Sequence, residues 1–441
     1  TCALPIYDGY LFFRVEPTEV SVVDNTIDLE MRIFEGPQAT IDEVIIKGNT
    51  RTHEHVIRRE LRTQPGQKFS RSDIIRSQRQ IIALGYFNPE SLGIQTPVDQ
   101  TNGTVDIIYE VEERPSDQLE LSAGWGGFGR SQIIGTLGVT FNNFSLRNLF
   151  KPEAWSPLPQ GDGQRFSVRI QTNGDFFQSY NFSLTEPWLG GKRPNSFTVG
   201  GVITKVDQTA YQGGKLKISR GFVGLGSRLK WPDDNFISNT TLSAEFIELD
   251  NYRTGDFVDK NGRPITDGLY KNFNIAQTIA RSTINEPTFP RNGSLISLTI
   301  QATLPYSLMG RNYTAGDPQS EYEYVEYHKW DIDAEWYTPL VGKLVLKTAA
   351  KLGYLGFYNP DIGTPPFERF EVGGDGLSTQ QFGVTGKDIV SLRGYEIGDI
   401  NANNSGGAAV FNKFTVELRY PLSLNPSSTI FGMLFLTSGN A

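Results

Sequence analysis

The chain has 441 residues, of which 46 are glycine and 12% are aromatic, a composition that indicates many strands and turns. Its mean hydropathy is -0.33 and it has no run of about 18 consecutive apolar residues, which excludes a helical membrane protein but not a transmembrane β-barrel. The net charge of -8 gives no reason to expect a nucleic-acid partner.

The single cysteine, Cys2, excludes an intramolecular disulfide framework and a metal site built from cysteines. The chain starts without methionine and stops at Ala441 inside a strand-like run, so we expect it to be a fragment of a longer protein. The opening TCALPI also matches what a common sequencing adapter would encode, which suggests that Cys2 and the first six residues are not native.

Residues 37–115 have the pattern of one small α+β module. The segment TIDEVIIKGN is typical of a strand, and apolar residues at helical spacing predict a helix over 52–62. A second helix is predicted after Ser70, because Ser70 and Asp73 form a capping pattern ahead of further apolar residues. The segments LGIQTPVD and GTVDIIYEVEER follow as strands, which gives the order β-α-α-β-β.

The first of these two closing strands is predicted to lie at the edge of the module's sheet. Pro97 interrupts it and has no backbone N–H to donate to a neighbouring strand, so a central position is disfavoured. Ile94, Thr96 and Val98 belong to this predicted edge strand.

An internal repeat precedes the module. NTIDLEMRIFEG resembles GTVDIIYEVEER, and Asp28 and Asp106 take equivalent positions in the two segments. Residues 7–36 are therefore predicted to be the C-terminal part of an earlier copy. A repeated β-α-α-β-β module ahead of a long β region resembles the polypeptide-transport-associated (POTRA) modules, although other small α+β folds share this order.

From residue 116 to 441 apolar and polar residues alternate, so that one face of each strand is apolar and the other is charged. Many of the predicted strands reach the ~9 to 11 residues that cross a bilayer at a tilt. A closed barrel satisfies every backbone hydrogen bond, so the pattern favours a transmembrane antiparallel β-barrel over a soluble sandwich. Thirteen strands are predicted to begin near residues 118, 131, 165, 177, 196, 214, 236, 272, 294, 328, 343, 409 and 429.

Three long connections are predicted at 250–271, 305–327 and 359–408. Each follows an odd-numbered strand, so all three would share one rim of the barrel, the outward rim if the modules are periplasmic. The long segment 143–164 falls on the opposite rim, and the strand pattern gives no reason for its length.

The segment VSLRGYEIGD lies between the predicted eleventh and twelfth strands and contains Leu392, Arg393, Gly394 and Tyr395. With this LRGY tip, the chain resembles the BamA family of outer-membrane β-barrel assembly factors, whose signature at this place is (V/I/L)RG(F/Y). The resemblance implies a sixteen-stranded barrel, of which this chain would hold thirteen strands, behind periplasmic POTRA modules. The segment FNNFSLRNLF with its long insertion is similar to a Bacteroidetes branch of the family.

The resemblance also implies that the loop folds into the barrel lumen and is anchored there. Glu417 on the twelfth strand matches the family's acidic partner of Arg393, and a guanidinium can hold a carboxylate through two hydrogen bonds. The family's second acidic position aligns with Thr437, which would leave one carboxylate in the anchor. Gly373 and Gly374 match the glycine pair that precedes the signature. From the residues alone, an ordinary turn with a solvated arginine stays open.

The first strand of the barrel is rich in glycine, which supplies little packing and weakens a strand. The resemblance implies that this strand borders a lateral seam, where it templates strands of client proteins without ATP. The alternative is that the glycines only allow the barrel to bend. The predicted seam residues are Leu119, Leu121, Ala123, Gly124, Trp125, Gly126 and Gly127.

The function expected from this resemblance is assembly of outer-membrane proteins. The implied partners are unfolded outer-membrane clients, periplasmic chaperones, accessory assembly lipoproteins and outer-membrane lipid. A two-partner exporter or a translocation-and-assembly pore is the alternative, and a passive porin would lack the modules and the LRGY loop. We expect no enzyme and no cofactor, and no catalytic or metal-binding role for His53, His55 or His328.

Overall fold

The computed structural model of the chain describes residues 10–11, 14–23, 26–36, 38–126, 132–155, 158–211, 213–284, 286, 288–374, 385–400, 406–425 and 428–441. The predictions made for Cys2 and Gly127 lie outside these residues. The chain divides into two compact units. Unit 1 holds Thr1–Gln118 and Thr140–Phe166, and unit 2 holds Leu119–Val139 and Ser167–Ala441.

Unit 1 contains an antiparallel hairpin and, after it, a small mixed sheet with two helices. In the mixed sheet the strand Thr104–Glu110 is central, parallel to Thr40–Lys47 and antiparallel to Gly93–Gln95 and Val98–Asp99. This confirms the predicted β-α-α-β-β order, with one strand divided at Pro97. The elements are β1 (Arg14–Val23), β2 (Thr26–Phe34), β3 (Thr40–Lys47), α1 (Glu54–Arg58), α2 (Arg71–Ala83), β4 (Gly93–Gln95), β5 (Val98–Asp99) and β6 (Thr104–Glu110). The assignment of the hairpin to an earlier module stays a prediction.

Helix α1 is shorter than the predicted helix over 52–62, and hydrogen bonds on both sides of it explain why. The backbone N–H of Thr52 donates to Glu113 over 2.6 Å, so the chain before the helix is held in another conformation. After the helix, the backbone N–H of Arg62 donates to the hydroxyl of Ser77 over 2.8 Å. Both partners lie far away in the sequence, where helical periodicity carries no information about them.

The core of this module lies between α2 and the sheet. Ile74 and Ile81 are on one face of α2 and are buried, and Ile107 and Tyr109 alternate inward from β6. Burying each such apolar side chain stabilises the fold by about 1.5 to 3 kcal/mol. The Tyr109 hydroxyl keeps a partner in the core, because it lies 3.0 Å from the hydroxyl of Thr63.

Unit 2 is built on one antiparallel sheet that has 13 strands among the described residues, the predicted number. The strands pair in chain order, and Gln118–Gly126 and Ser428–Asn440 are the two ends of the ladder. Their bounds are β7 (Gln118–Gly126), β8 (Gln132–Phe144), β9 (Gln164–Asn173), β10 (Phe177–Glu186), β11 (Ser196–Asp207), β12 (Lys215–Arg228), β13 (Phe236–Asp250), β14 (Gly268–Ser282), β15 (Gly293–Thr303), β16 (His328–Pro339), β17 (Val345–Gly356), β20 (Val410–Asn425) and β21 (Ser428–Asn440).

The two faces of this sheet have the reverse polarity of a soluble protein. On β14 the amides of Asn272 and Asn274 are buried, whereas Phe273 and Ile275 are 38% and 46% exposed. An exposed apolar face opposite a buried polar face suits a hydrocarbon environment. Near the strand ends the pattern inverts, since Leu249 is buried beside the exposed Asp250.

Among the described residues, no helix combines the length and the apolar character needed to cross a membrane.

The three long connections pack on one another, as expected for loops of one rim. The hydroxyl of Tyr322 in α3 (Pro318–Tyr322) donates to the carbonyl of Ile362 over 3.1 Å, and the rings of Phe257 and Phe367 lie 5.0 Å apart. The longest connection, between β17 and β20, contains two short parallel strands. These are β18 (Glu371–Val372) and β19 (Ile389–Val390).

Candidate functional site

The LRGY turn rests directly on the glycine pair of the same loop. The backbone N–H of Gly374 donates to the carbonyl of Tyr395 over 2.8 Å. Gly373 has a φ of +138°, and a Cβ on it would lie 2.1 Å from the carbonyl oxygen of Glu396. Residue 373 is therefore glycine because the backbone of the turn occupies the space of a side chain, and Gly374, at a φ of +83°, lies in the left-handed region that favours glycine.

In the LRGY turn Leu392 is buried, whereas the side chain of Arg393 is exposed. Leu392 is 3% exposed and belongs to the apolar cluster beneath the loops. Gly394 has a φ of +94°, the left-handed region that favours glycine, so the chain can reverse there. The guanidinium carbon of Arg393 then lies 5.0 Å from the ring centroid of Phe435 on β21, within cation–π range.

The structure brings the predicted anchor positions to one cavity. Arg393, Glu417 and Thr437 all line a cavity of about 340 Å³ on the polar face of the sheet. Glu417 on β20 faces Phe435 on β21, and Thr437 faces Thr415 in the same ladder. The loop tip therefore reaches the twelfth and thirteenth strands of the sheet.

Glu417 makes its ion pairs with residues of the strands. Its Oε2 lies 3.2 Å from Nε of Arg419, and its Oε1 lies 3.9 Å from Nζ of Lys347, which also pairs with Glu335 at 2.9 Å. The contact between Glu417 and Arg419 does not have hydrogen-bond geometry, so among the described residues the buried Oε2 of Glu417 accepts no hydrogen bond. The two-hydrogen-bond contact between Arg393 and Glu417 stays a prediction.

A lysine that the sequence analysis did not single out fastens the loop to the sheet. Nζ of Lys329 on β16 lies 3.2 Å from Oε2 of Glu368 and 2.5 Å from Oδ2 of Asp388. The amide of Asn272 donates to the other oxygen of Glu368 over 2.7 Å. Lys329 is 5% exposed, so its charge depends on these carboxylates for compensation.

A second buried lysine, Lys387, connects this loop to the connection at 250–271. The ammonium of Lys387 donates to the carbonyl oxygens of Asp256 and Gly406 and lies 3.4 Å from Oε1 of Glu371. One indication of these ion pairs is present in the sequence, namely that lysines and carboxylates occur in and around the loop. Their pairing could not be read, because alternation gives no information on how an irregular loop folds back.

The predicted seam strand is the outer edge of the ladder. Leu119 and Leu121 on β7 are 70% and 73% exposed, and Ala123 and Gly124 are also exposed. Trp125 and Gly126 complete the strand. Among the described residues, β7 pairs with β8 alone.

The predicted edge strand of the module is divided in the structure. Ile94 on β4 faces Tyr109, and Val98 on β5 faces Val105, both across the same central strand β6. Thr96 lies between the two short strands. The other side of β4 and β5 has no paired strand among the described residues.

Residues 140–166, which the sequence analysis placed in the barrel region, belong to unit 1 and contact the module. The hydroxyl of Tyr86 donates to the carbonyl of Asn142 over 2.6 Å. The side-chain amide of Asn143 donates to the hydroxyl of Thr52 over 2.8 Å. The strand pattern gave no reason for the length of segment 143–164. These contacts show that this part of the chain packs on the module.

Glu113 organises the chain ahead of α1. Its carboxylate accepts hydrogen bonds from the backbone N–H groups of Arg51 and Thr52 and from the hydroxyl of Thr50 over 2.6 to 3.1 Å. Burial alone would raise the pKa of Glu113, but these hydrogen bonds outweigh it and hold the pKa below its usual value. The carboxylate is therefore ionised at neutral pH.

Asp162 plays a similar part in the segment that contacts the module. Burial would raise the pKa of this carboxyl, but hydrogen bonds from Ser145 and His53 lower it below its usual value. The hydroxyl of Ser145 donates to Oδ2 over 2.6 Å, and Nδ1 of His53 lies 2.8 Å from Oδ1.

Comparison with known families decides which class of protein this fold represents. Residues 160–441 match the family model of the Omp85 superfamily domain, which is more than half of the chain. The chain belongs to the Omp85 superfamily. Residues 39–114 of this Omp85 chain match the POTRA family model, described as a surface antigen variable number repeat.

Curated relatives of this Omp85 chain carry the names of assembly factors. The outer membrane protein assembly factor BamA of Neisseria meningitidis serogroup B is 25% identical over 429 residues, which are 93% of this chain and 46% of the relative. A putative outer membrane protein assembly factor of Treponema pallidum is 28% identical over 178 residues, 40% of this chain and 19% of the relative. The chain spans about half the length, or less, of these curated relatives.

Solved structures agree with this Omp85 fold. The crystal structure of BamA from Haemophilus ducreyi lacking POTRA domains 1–3 matches with a TM-score of 0.66 at 19% identity, over 99% of this chain and 78% of that one. CdiB from Escherichia coli matches with a TM-score of 0.52 at 13% identity, over 98% of this chain and 70% of that one.

The resemblance to the BamA family is thereby confirmed. The fold is that of an outer-membrane Omp85 barrel with a periplasmic POTRA module. The similarity of FNNFSLRNLF to a Bacteroidetes branch stays a prediction.

Proposed function

We propose that this chain is part of a factor that folds β-barrel proteins and inserts them into the outer membrane. In this proposal β7 borders a lateral seam, and its backbone edge templates the strands of an incoming client. The observation that carries the proposal is the match of residues 160–441 and 39–114 to the Omp85 and POTRA family models, together with the assembly-factor names of the curated relatives. An unpaired strand edge is a ready template for another chain.

Templating of this kind requires no ATP. Each backbone hydrogen bond formed with the client replaces one that the client made with water or with a chaperone. The glycine content of β7 supports the same proposal, because Gly124 and Gly126 have no side chains to pack against a neighbouring strand. A strand held in this way separates from a neighbour at lower cost than one buried on both faces.

The proposed partners follow from this role. They are unfolded outer-membrane proteins, the periplasmic chaperones that deliver them, accessory assembly lipoproteins and the lipid of the outer membrane. Extended segments of such partners would add to the module's sheet at the unpaired side of β4 and β5, next to Ile94, Thr96 and Val98. The names of the Neisseria and Treponema relatives support assembly as the activity.

The loop between β17 and β20 would keep the rest of the barrel intact while the seam moves. The contacts of Lys329 hold the loop to β16, nine strands away from β7 along the ladder. The seam could therefore open without breaking this attachment. No step in this cycle uses a catalytic residue, so we propose a non-enzymatic activity.

Depletion of the protein in its native host, followed by a census of outer-membrane proteins, tests this function. We expect a general loss of β-barrel proteins from the membrane. Loss of one secreted protein, with the other barrels unchanged, would instead support an exporter. A change in small-solute permeability alone would support a passive porin.

Strand templating is tested separately by disulfide trapping. In a Cys2→Ser background, Leu121→Cys on the β7 edge should form mixed disulfides with cysteines placed along the strands of a client during its assembly. Leu242→Cys in the middle of the sheet is the matched control, because Leu242 is also exposed, at 57%, but its strand is paired on both sides. Equal trapping at the two positions would contradict templating without contradicting assembly.

A further inference from the structure

Two of the chain's three histidines converge on one buried carboxylate in unit 1. Nδ1 of His53 lies 2.8 Å and Nε2 of His55 lies 3.8 Å from Oδ1 of Asp162. One ligand atom from each of the three residues lies within 4.8 Å of the other two. The histidines come from the start of α1, and the aspartate comes from the segment 140–166 that contacts the module.

The surroundings hold these side chains in place. The buried carboxylate of Asp162 accepts a hydrogen bond from Ser145 on the oxygen that faces away from the histidines. The backbone N–H of His53 donates to the carbonyl of Gly161 over 2.9 Å. The His53 ring lies so close to Gly161, at φ +126°, that a Cβ there would be 3.0 Å from its Cε1. Hydrogen-bonded carboxylates and fixed imidazoles are typical of the shell around a metal ion.

The distances suit a transition-metal ion. Imidazole nitrogens bind Zn²⁺ at ~2.0 to 2.1 Å and carboxylate oxygens at ~2.0 to 2.2 Å, which puts neighbouring ligand atoms of a tetrahedral site about 3.4 Å apart. The two separations from Oδ1 of Asp162, 2.8 and 3.8 Å, lie on either side of that value, and all three ligand atoms lie within 4.8 Å of one another. Side-chain movements of about 1 Å would therefore complete the site.

We propose that His53, His55 and Asp162 form a binding site for a divalent transition-metal ion of the Zn²⁺ class. The bound ion fastens the segment around Asp162 to the start of α1. The side chains of His53 and His55 are 44% and 52% exposed, which leaves the fourth position to water. Arg59 and Arg147 contribute positive potential at the cluster, so we expect micromolar rather than nanomolar affinity. This site is independent of the proposed function and reverses the expectation that these histidines bind no metal.

The role of His55 separates a metal site from a simple hydrogen bond. A hydrogen bond between His53 and Asp162 needs nothing from His55, whose Nε2 is beyond hydrogen-bond distance at 3.8 Å. A metal site loses one of its three ligands when His55 is replaced. Since His55 is half exposed, the His55→Gln variant should fold normally.

The test is competition for Zn²⁺ between the full chain in detergent and a chromophoric chelator. We expect one ion per chain, and an affinity at least tenfold weaker in His55→Gln and in Asp162→Asn. His328→Gln is the matched control, because it removes the remaining histidine, which lies on β16 of unit 2. It should bind Zn²⁺ like the wild type.

A second readout covers the case in which Asp162→Asn loosens the segment. Addition of Zn²⁺ should slow amide hydrogen exchange at residues 143–163 in the wild type and in His328→Gln, and not in His55→Gln. Wild-type affinity or unchanged Zn²⁺ protection in a folded His55→Gln would overturn the site. So would the absence of any binding by the wild type at millimolar Zn²⁺.

Discussion

At the scale of single residues, the buried charge of Lys329 attaches the long loop to the sheet. Replacing Lys329 by methionine keeps much of the side chain but leaves Glu368 and Asp388 without their cation. The Lys329–Glu368 pair is buried on both sides, whereas the side chain of Asp388 is 65% exposed. Breaking a buried pair such as Lys329–Glu368 by removing one partner costs about 3 to 5 kcal/mol. We expect Lys329→Met to lower the temperature at which the barrel loses its compact mobility on gels, and to speed proteolysis of residues 357–409.

Arg393→Ala provides the comparison. Its side chain is exposed and packs on Phe435, an interaction of about 0.5 to 1 kcal/mol at an exposed site. We expect a smaller shift than for Lys329→Met if the cation–π contact is its main interaction. A shift in Arg393→Ala as large as that in Lys329→Met would instead favour the predicted two-hydrogen-bond anchor to Glu417.

Glu113 makes the stability of the module fall at acidic pH. The pKa of its carboxyl is below the usual value in the folded state, so its contribution is complete above about pH 4.3, the usual pKa of glutamate. The contribution is lost as the pH falls further, through the folded-state pKa. We expect Glu113→Gln to destabilise residues 50–52 by about 1.5 to 3 kcal/mol at pH 7, measured by amide hydrogen exchange.

The neighbouring Glu112 supplies the control for this prediction. Its side chain is exposed, and the same change to glutamine removes the same charge from the same strand end. Glu112→Gln should leave the exchange of residues 50–52 as in the wild type. If Glu113→Gln and wild type lost protection in parallel between pH 5 and pH 3, the carboxylate would not be the group responsible.

At the scale of secondary-structure elements, the sequence predicted what local periodicity determines. Alternation placed all 13 strands of unit 2 to within four residues of their starts, because each strand has one lipid-suited face and one polar face. It failed for the start of the helix predicted over 52–62, where Thr52 is hydrogen-bonded to Glu113, 61 residues away. It also missed Lys329, because an irregular loop brings Asp388 to it and leaves no period in the sequence.

The close fit between the glycine pair and the LRGY turn can be tested by one methyl group. Gly373→Ala would place a Cβ 2.1 Å from the carbonyl oxygen of Glu396, at a φ that alanine rarely adopts. We expect the turn to be displaced, so that Tyr395 and its neighbours exchange amide hydrogen at least tenfold faster.

Gly221→Ala on β12 is the control for this change. A Cβ there meets no atom within 4 Å, and the residue is not among those with a positive φ. The variant should match the wild type in loop exchange and in barrel stability. Normal exchange of the turn in Gly373→Ala would mean that the glycine pair does not support it.

At the scale of the whole molecule, both units use charge in the same way. In unit 1 Glu113 and Asp162 are buried carboxylates that gather donors from distant segments, and in unit 2 Lys329 and Lys387 are buried cations that gather loop carboxylates and carbonyls. Buried charges are costly unless they are paired, so each fixes one arrangement of the segments around it. Apolar burial organises the POTRA core and the loops, while the strands turn their apolar side chains outward.

That outward apolar face yields the last prediction. Leu242 lies in the middle of β13, 57% exposed, and Leu269 lies near the start of β14, 39% exposed. Leu269 pairs with Glu248 across the ladder, in the region where exposed charges begin. An arginine on a lipid face costs about 2 to 4 kcal/mol at the bilayer midplane and about 0 to 1 near the interface. We therefore expect Leu242→Arg to lower the free energy of unfolding in lipid vesicles by 2 kcal/mol or more on this scale, and Leu269→Arg to change it little. Equal effects of the two variants, or no effect of Leu242→Arg, would mean that β13 does not cross the hydrocarbon at Leu242.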